Sequence, residues 1–245
     1  MLAHVPLHGQ HTDNWPGAHG PYRRHHGVSF RTHVPPVRPD GLVDELAALC
    51  VGPPQRAHRV MIEGADAADP TALAAALAAK LRAAGRPCGA VNMADWLRPA
   101  SLRLEHGHDD PDSYRDSWFD YAALRREVLD PLGPGGSGRW LPTLWDTRTD
   151  RATRAERVQA EPGAVLVVAG PMLLGRGLPF DLTVHLHLSE AALRRRTAPA
   201  HGWTVHALVE HEQLADSDLA ADIVVRVDHA DRPAISVRAA QQERR

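Results

Sequence analysis

The stretch Gly64-Ala65-Asp66-Ala67-Ala68-Asp69-Pro70-Thr71 is where residue types and spacing point most directly to chemistry in this 245-residue chain. It follows a short apolar run, Arg59-Val60-Met61-Ile62, and opens an Ala/Leu-rich run that begins at Thr71. A loop that leaves a strand and opens a helix aims free backbone N–H groups and a positive dipole end at an anion. In the phosphate-binding pattern G-x-x-x-x-G-K-[ST], glycines let the backbone approach phosphate, a lysine reaches the terminal phosphates and a hydroxyl meets Mg²⁺. Here Gly64 and Thr71 are kept, while Asp69 stands at the second glycine and Pro70 at the lysine. Asp-Pro-Thr is also an ordinary helix start, with Asp69 as N-cap and Pro70 at the first helical position. The Asp69 carboxylate then takes the donors a phosphate would use. A phosphate oxygen about 5 Å away would be repelled by roughly 3 kcal/mol per charge pair at an effective dielectric near 20. Asp66 adds to this unless a divalent ion sits between. The sequence predicts a loop that caps itself.

The elements that would position this loop follow from periodicity. Thr71 to Ala84 carries Leu73, Leu77 and Leu81 at i, i+4 and i+8 among alanines, which predicts a helix that Gly85 stops. Arg59–Ile62 and Gly89–Met93 read as strands, Ala164–Val168 as a fully buried one, and Leu182–Leu188 and Ile223–Val227 as two more. Helices are expected at Tyr121–Leu129, ending at Pro131, and around Glu190–Arg196 and Thr204–Leu214. Strands alternating with helices predict an α/β fold, a doubly wound parallel sheet covered on both faces. Ligands of such sheets bind at the carboxyl ends of the strands, which is where the loop 64–71 falls.

Composition bounds the rest. Residues 1–38 are rich in His, Pro and Gly without apolar periodicity and read as a flexible extension. Seven of the 16 histidines lie there (His4, His8, His11, His19, His25, His26 and His33), at spacings that match no closed metal site. Residues 39–236 are expected to form a single domain and residues 237–245 a polar tail. With 43% hydrophobic and 24% charged residues, wholesale disorder is excluded. Lys+Arg 28 against Asp+Glu 30 argues against a nucleic-acid binder with a broad basic face. No apolar run approaches the ~20 residues of a membrane span, and the N-terminus lacks the pattern of a secretory signal. Cys50 and Cys88 read as two reduced thiols of a cytoplasmic protein. Lys80 is the sole lysine. Ten residues along a helix from Pro70 is about 15 Å, too far to replace the missing loop cation.

Several further stretches occur in a telling order. Asn92-Met93-Ala94-Asp95-Trp96-Leu97-Arg98-Pro99 follows the second strand, and Ser117-Trp118-Phe119-Asp120 comes next. Then come Arg139 to Asp146 (RWLPTLWD), Val165-Leu166-Val167-Val168-Ala169-Gly170, and Leu193 to Arg196. With the loop, and over about Arg59 to Ala234, this ordered set resembles the uridine kinase / phosphoribulokinase branch of P-loop kinases. The resemblance implies a kinase using ATP and Mg²⁺ on a nucleoside. It places the general base at Ala94, with Asp95 adjacent, and an Mg²⁺-orienting acid at Ala169. It also implies a nucleoside pocket of Phe119, Asp120, Trp145 and Asp146, and a phosphate lid of Arg194, Arg195 and Arg196. Each of those residues has a plain alternative, as core aromatic, helix cap or helix-dipole complement.

Phosphoryl transfer is largely positioning and charge stabilisation, so lost charges count heavily. Loop lysine, base and acid are all replaced. Three readings remain open from the sequence. The first is a catalytically impaired uridine kinase-like protein that acts by binding a nucleoside or related small molecule. The second is an active ATP-dependent nucleoside kinase with relocated groups, in which Asp95, Asp66 and a lid arginine would be essential. The third is a protein-interaction module on a kinase fold, with a protein partner in place of a ligand.

Overall fold

Alternation decides how the sheet is buried. In the computed structural model, which describes residues 31–34, 38–50, 57–229 and 231–238, seven strands form one sheet. They are β1 (Arg31–Val34), β2 (His58–Gly64), β3 (Cys88–Asn92), β4 (Val165–Gly170), β5 (Leu182–His187), β6 (Ile223–Arg226) and β7 (Ala234–Arg238). Their order is β1-β7-β6-β5-β2-β4-β3. The five strands from β6 to β3 run parallel, and β7 and β1 add antiparallel at the β6 edge. The expected α/β sheet is therefore present, with β2 at the centre of its five parallel strands.

Successive side chains of each strand face opposite ways. Val60, Ile62, Val165, Val167, Val184 and Leu186 point to one face, under helices α1 (Pro39–Leu49) and α2 (Pro70–Ala83) with Leu42, Leu46, Leu77 and Leu81. Met61, Val91, Leu166 and Val168 point to the other. There they meet Tyr114 of α3 (Pro111–Ser117) and Leu124 of α4 (Tyr121–Leu124), which runs on into a π-helical turn, Arg125–Leu129. Helix α6 (Thr204–Ala215) joins that side through Ala207, while α5 (Glu190–Arg196) packs Ala192 and Leu193 in a smaller cluster with Leu188 and Val205. Among the described residues, no helix is long and apolar enough to cross a membrane.

Boundaries differ from expectation in few places. Arg31–Val34, placed in the extension by sequence, is an edge strand, and Val237 and Arg238, placed in the tail, complete β7. A four-residue strand held by backbone pairing leaves too short a pattern for periodicity to reveal. The rest of the expected extension and tail lies outside the described residues. Cys50 and Cys88 are free. Burial pushes their thiols up to about 12 and about 11, against the pull of nearby arginines, so both are protonated and unreactive.

One buried ion pair ties the amino ends of the central strands together. Arg59 of β2 meets Asp181, just before β5, through Nε at 3.0 Å and Nη2 at 2.9 Å, and its backbone N–H adds a third bond at 2.9 Å. Its Nη1 also donates to the Leu129 carbonyl, which closes the π turn against the sheet. Removing one partner of a buried pair strands the other charge. Asp181→Ala is therefore expected to lower stability by about 3–5 kcal/mol, read as a shift in the denaturant midpoint at unchanged slope.

Candidate functional site

The site begins where β2 ends. Gly64 lies so close to β5 that a Cβ there would come within 2.9 Å of the Leu186 Cβ, which explains its lack of a side chain. The chain then makes a 3-10 turn over Asp66–Ala68 and turns into α2 at Asp69. Asp69 adopts a left-handed backbone, φ 55° and ψ 54°, the conformation a glycine takes without strain. It thus keeps the backbone shape expected at the second glycine while supplying a carboxylate.

That carboxylate accepts from the Ala72 N–H at 3.1 Å. The Ala68 N–H is used by the Ala65 carbonyl at 2.8 Å, the Asp69 N–H by Asp66 at 2.9 Å, and the Leu73 N–H by Asp69 at 3.2 Å. Pro70 has no N–H to offer. The loop closes on itself, as its sequence predicts. Lys80 is engaged elsewhere, with Nζ 2.6 Å from Asp44 of α1.

A cleft of about 530 Å³ opens beside this loop. Asp66 and Ala67 form one wall and Arg196, Thr197 and His201 another. Its floor is aromatic. Tyr114, Trp118 and Trp203 meet edge-on or tilted with ring centres 5.1 to 5.4 Å apart, and His108 stands 5.8 Å from Trp203. Arg103 lies over the Trp118 ring at 5.2 Å. Backbone bonds from Arg98 to Trp118 and from Asp120 to Trp96 seat this wall, and an ion pair of Arg115 with Glu210 ties α3 to α6. The indole N–H groups of Trp118 and Trp203 are buried without a hydrogen-bond partner among the described residues. The mass of protein around Asp66 raises its carboxyl pKa, with His201 opposing and Asp69 reinforcing.

The residues singled out from the sequence divide. Asp66 and Arg196 line the cleft. Arg194 pairs with Glu190 one turn back, and Arg195 is exposed. Phe119 is 5% exposed and packs in the core, and Asp120 caps α4 by accepting from the Ala123 N–H at 2.8 Å. Trp145 donates to Asp150 at 3.0 Å, while Asp146 closes its own turn by accepting from Arg148 and Thr149. None of these last four lines the cleft. Asp95 is half-buried, its pKa raised by burial and by the neighbouring Asp146, and it too lies outside the cleft lining. Ala169, the residue before the last of β4, brings no carboxylate, and Thr71 is exposed. With the Asp69 carboxylate on the Ala72 N–H, Pro70 in place of a lysine and no acid at Ala169, these residues do not fit a bound MgATP.

Sequence reasoning missed two groups. One is the aromatic floor, whose members are spread from 108 to 203 and share no spacing. The other lies beneath the loop. Glu63, at the end of β2, is 3% exposed, and its Oε2 is 2.5 Å from His185 Nδ1 on β5. His185 Nε2 is 3.1 Å from Glu212 of α6, and His187 Nδ1 bonds the same Glu212 oxygen. Burial opposes charge on His185, but Glu63 and Glu212 outweigh it and hold the imidazole protonated. Burial likewise works against the Glu63 carboxylate, yet His185 and His211 keep it ionised. The signal was present as polar residues alternating through an otherwise apolar strand, Val184-His185-Leu186-His187-Leu188.

No family model and no curated protein matches the sequence. Solved structures do. A possible uridine kinase from Bacillus stearothermophilus matches with a TM-score of 0.59 at 18% identity, covering 74% of this chain and 96% of that one. A provisionally assigned fructose transport system kinase from Silicibacter sp. TM1040 matches with a TM-score of 0.53 at 24% identity, covering 72% and 89%. The likeness establishes the fold, an α/β architecture that this chain shares with those two structures.

The two roles of Asp69 can be separated. Asp69→Ala removes the cap and leaves a Cβ in a left-handed backbone, whereas Asp69→Gly removes the cap and relieves the backbone. Thermal denaturation is expected to show a loss of about 1–2 kcal/mol for the alanine and only a few tenths for the glycine.

Proposed function

We propose that this chain is a uridine kinase-like protein that binds a nucleoside or a similar planar small molecule in the aromatic cleft and is impaired in phosphoryl transfer. The observation that carries this reading is the loop after β2. Its amide donors at Ala68, Asp69, Ala72 and Leu73 are already bonded, and Pro70 brings neither charge nor N–H where the pattern asks for lysine. Losing lysine, base and Mg²⁺-orienting acid together removes several terms, each worth roughly 10²–10⁴ in rate.

The cleft supports the binding half of the reading. The aromatic side chains of Tyr114, Trp118 and Trp203 favour a flat heterocycle, and base–aromatic stacking is worth about 1–3 kcal/mol. Arg196 and Arg103 line the cleft and offer donors to hydroxyl or anionic groups. A second reading, an active nucleoside kinase using ATP and Mg²⁺ with relocated groups, draws its support from Asp66 and Arg196 facing one cleft. It requires Asp66, Asp95 and Arg196 each to be essential to turnover. In the third reading a protein partner replaces the small molecule, and the cleft takes no nucleoside.

Titrating uridine while following tryptophan fluorescence tests the proposal, because Trp118 and Trp203 stand in the wall. Saturable quenching is expected in the wild type, weakened at least tenfold by Trp203→Ala with the circular dichroism spectrum unchanged. An unresponsive wild type up to millimolar uridine, and up to the same level of other nucleosides, would contradict it. Uridine phosphate formed from ATP at rates of order 1 s⁻¹ or more would favour the second reading instead.

A further inference from the structure

Farther along α6 from the residues that line the aromatic cleft, three side chains converge with the chemistry of a metal site. His185 Nε2, His187 Nδ1 and a Glu212 carboxylate oxygen all lie within 4.8 Å of one another. We propose that His185, His187 and Glu212 bind a divalent transition-metal ion of the zinc class.

The backbone sets two of the three ligands. His185 and His187 are two residues apart on β5, so both project from the same sheet face, and α6 lays Glu212 across them. Around a tetrahedral ion with ligand distances near 2.0–2.1 Å, ligand atoms stand about 3.4 Å apart. The 3.1 Å from His185 Nε2 to Glu212 is within a few tenths of an ångström of that spacing. Protons now bridge the imidazoles to the shared carboxylate oxygen, and an ion takes their place with a small outward shift.

Glu63 supplies the support such a site needs. A ligating histidine commonly donates its other ring N–H to a carboxylate, which selects the tautomer and fixes the ring. Here Glu63 Oε2 receives the His185 Nδ1–H at 2.5 Å and leaves Nε2 for the ion. Glu63 Oε1 faces His211 Nε2 at 3.6 Å, beyond hydrogen-bond length, so a second imidazole stands beside the carboxylate.

Access and coordination number also fit. Glu63 and His185 are buried, but His187 and Glu212 are 28% and 29% exposed. Both line a pocket of about 320 Å³ with Glu190, Val209, Gln213 and Asp216. With His187 and Glu212 facing that pocket and His185 behind them, a fourth position is left for water, as in an open rather than a closed zinc site. Imidazole and carboxylate donors favour zinc, cobalt or nickel over calcium or magnesium, which prefer all-oxygen sites.

The test uses the full chain, freed of metal and loaded with Co²⁺ or Zn²⁺. One tight equivalent is expected, with the intense visible bands of four-coordinate cobalt. His187→Ala and Glu212→Gln should each weaken that equivalent at least 100-fold, and Glu63→Gln by 10–100-fold. A variant with His4, His8, His11, His19, His25, His26 and His33 all changed to Ala should keep it, which separates the site from the histidine-rich N-terminal region. X-ray absorption of the zinc-loaded wild type should show two imidazole nitrogens and carboxylate oxygen, and needs no variant to fold. Absence of a tight equivalent, its loss in the seven-histidine variant, or its survival in both His187→Ala and Glu212→Gln would overturn the proposal and leave the cluster an ion-pair network.

Discussion

A carboxylate buried at the end of the central strand must be neutralised inside the sheet, and the loop region of this protein is arranged around that requirement. Glu63 sits beside His185 in direct register between parallel strands, and burial would otherwise drive its charge off. His185 answers Glu63 on one ring nitrogen and Glu212 on the other, and His187 joins Glu212. One chain of alternating charges thereby links β2, β5 and α6. Taking out His185, the shared member, would leave the buried Glu63 charge without its hydrogen-bonded partner, at a cost of about 3–5 kcal/mol. The arrangement fixes where β2 ends. Gly64 follows at once, pressed against Leu186, and the loop leaves the sheet from an anchored point.

What the loop does from that point is also settled by local satisfaction of polar groups. A helix start leaves several N–H groups without partners. In a phosphate cradle the ligand answers them, but here Asp69 and the 3-10 turn do. The α/β scaffold thus places a self-capped loop at the carboxyl edge of its sheet. The cleft beside it has a floor of Tyr114, Trp118 and Trp203, built from α3 and the start of α6 rather than from the loop.

Much of this was legible in the residues. Strands β2, β4 and β5 and helices α2, α5 and α6 follow from periodicity because each has one strong apolar stripe or run. The Asp69 cap was legible because capping is local, decided within three residues of sequence. The edge strand β1 and the helix α1 were not, since backbone pairing and a tertiary contact hold them. The expected pocket residues Phe119, Asp120, Trp145 and Asp146 turned out to be occupied as core, cap and turn groups. Chain order can suggest such roles, but only packing shows which way a side chain points. The Glu63–His185–Glu212 chain spans about 150 positions and joins three elements, so no local pattern contains it.

The most direct test of the account is a calorimetric titration of MgATP into the wild type and into the double variant Asp69→Gly, Pro70→Lys, which rebuilds the Gly-Lys-Thr helix start. The account predicts no heat of binding from the wild type at concentrations where uridine saturates its cleft, and measurable MgATP binding once the loop's donors are freed and a lysine restored. Micromolar MgATP binding by the wild type would contradict it, since a loop that caps itself with Asp69 cannot also cradle a triphosphate.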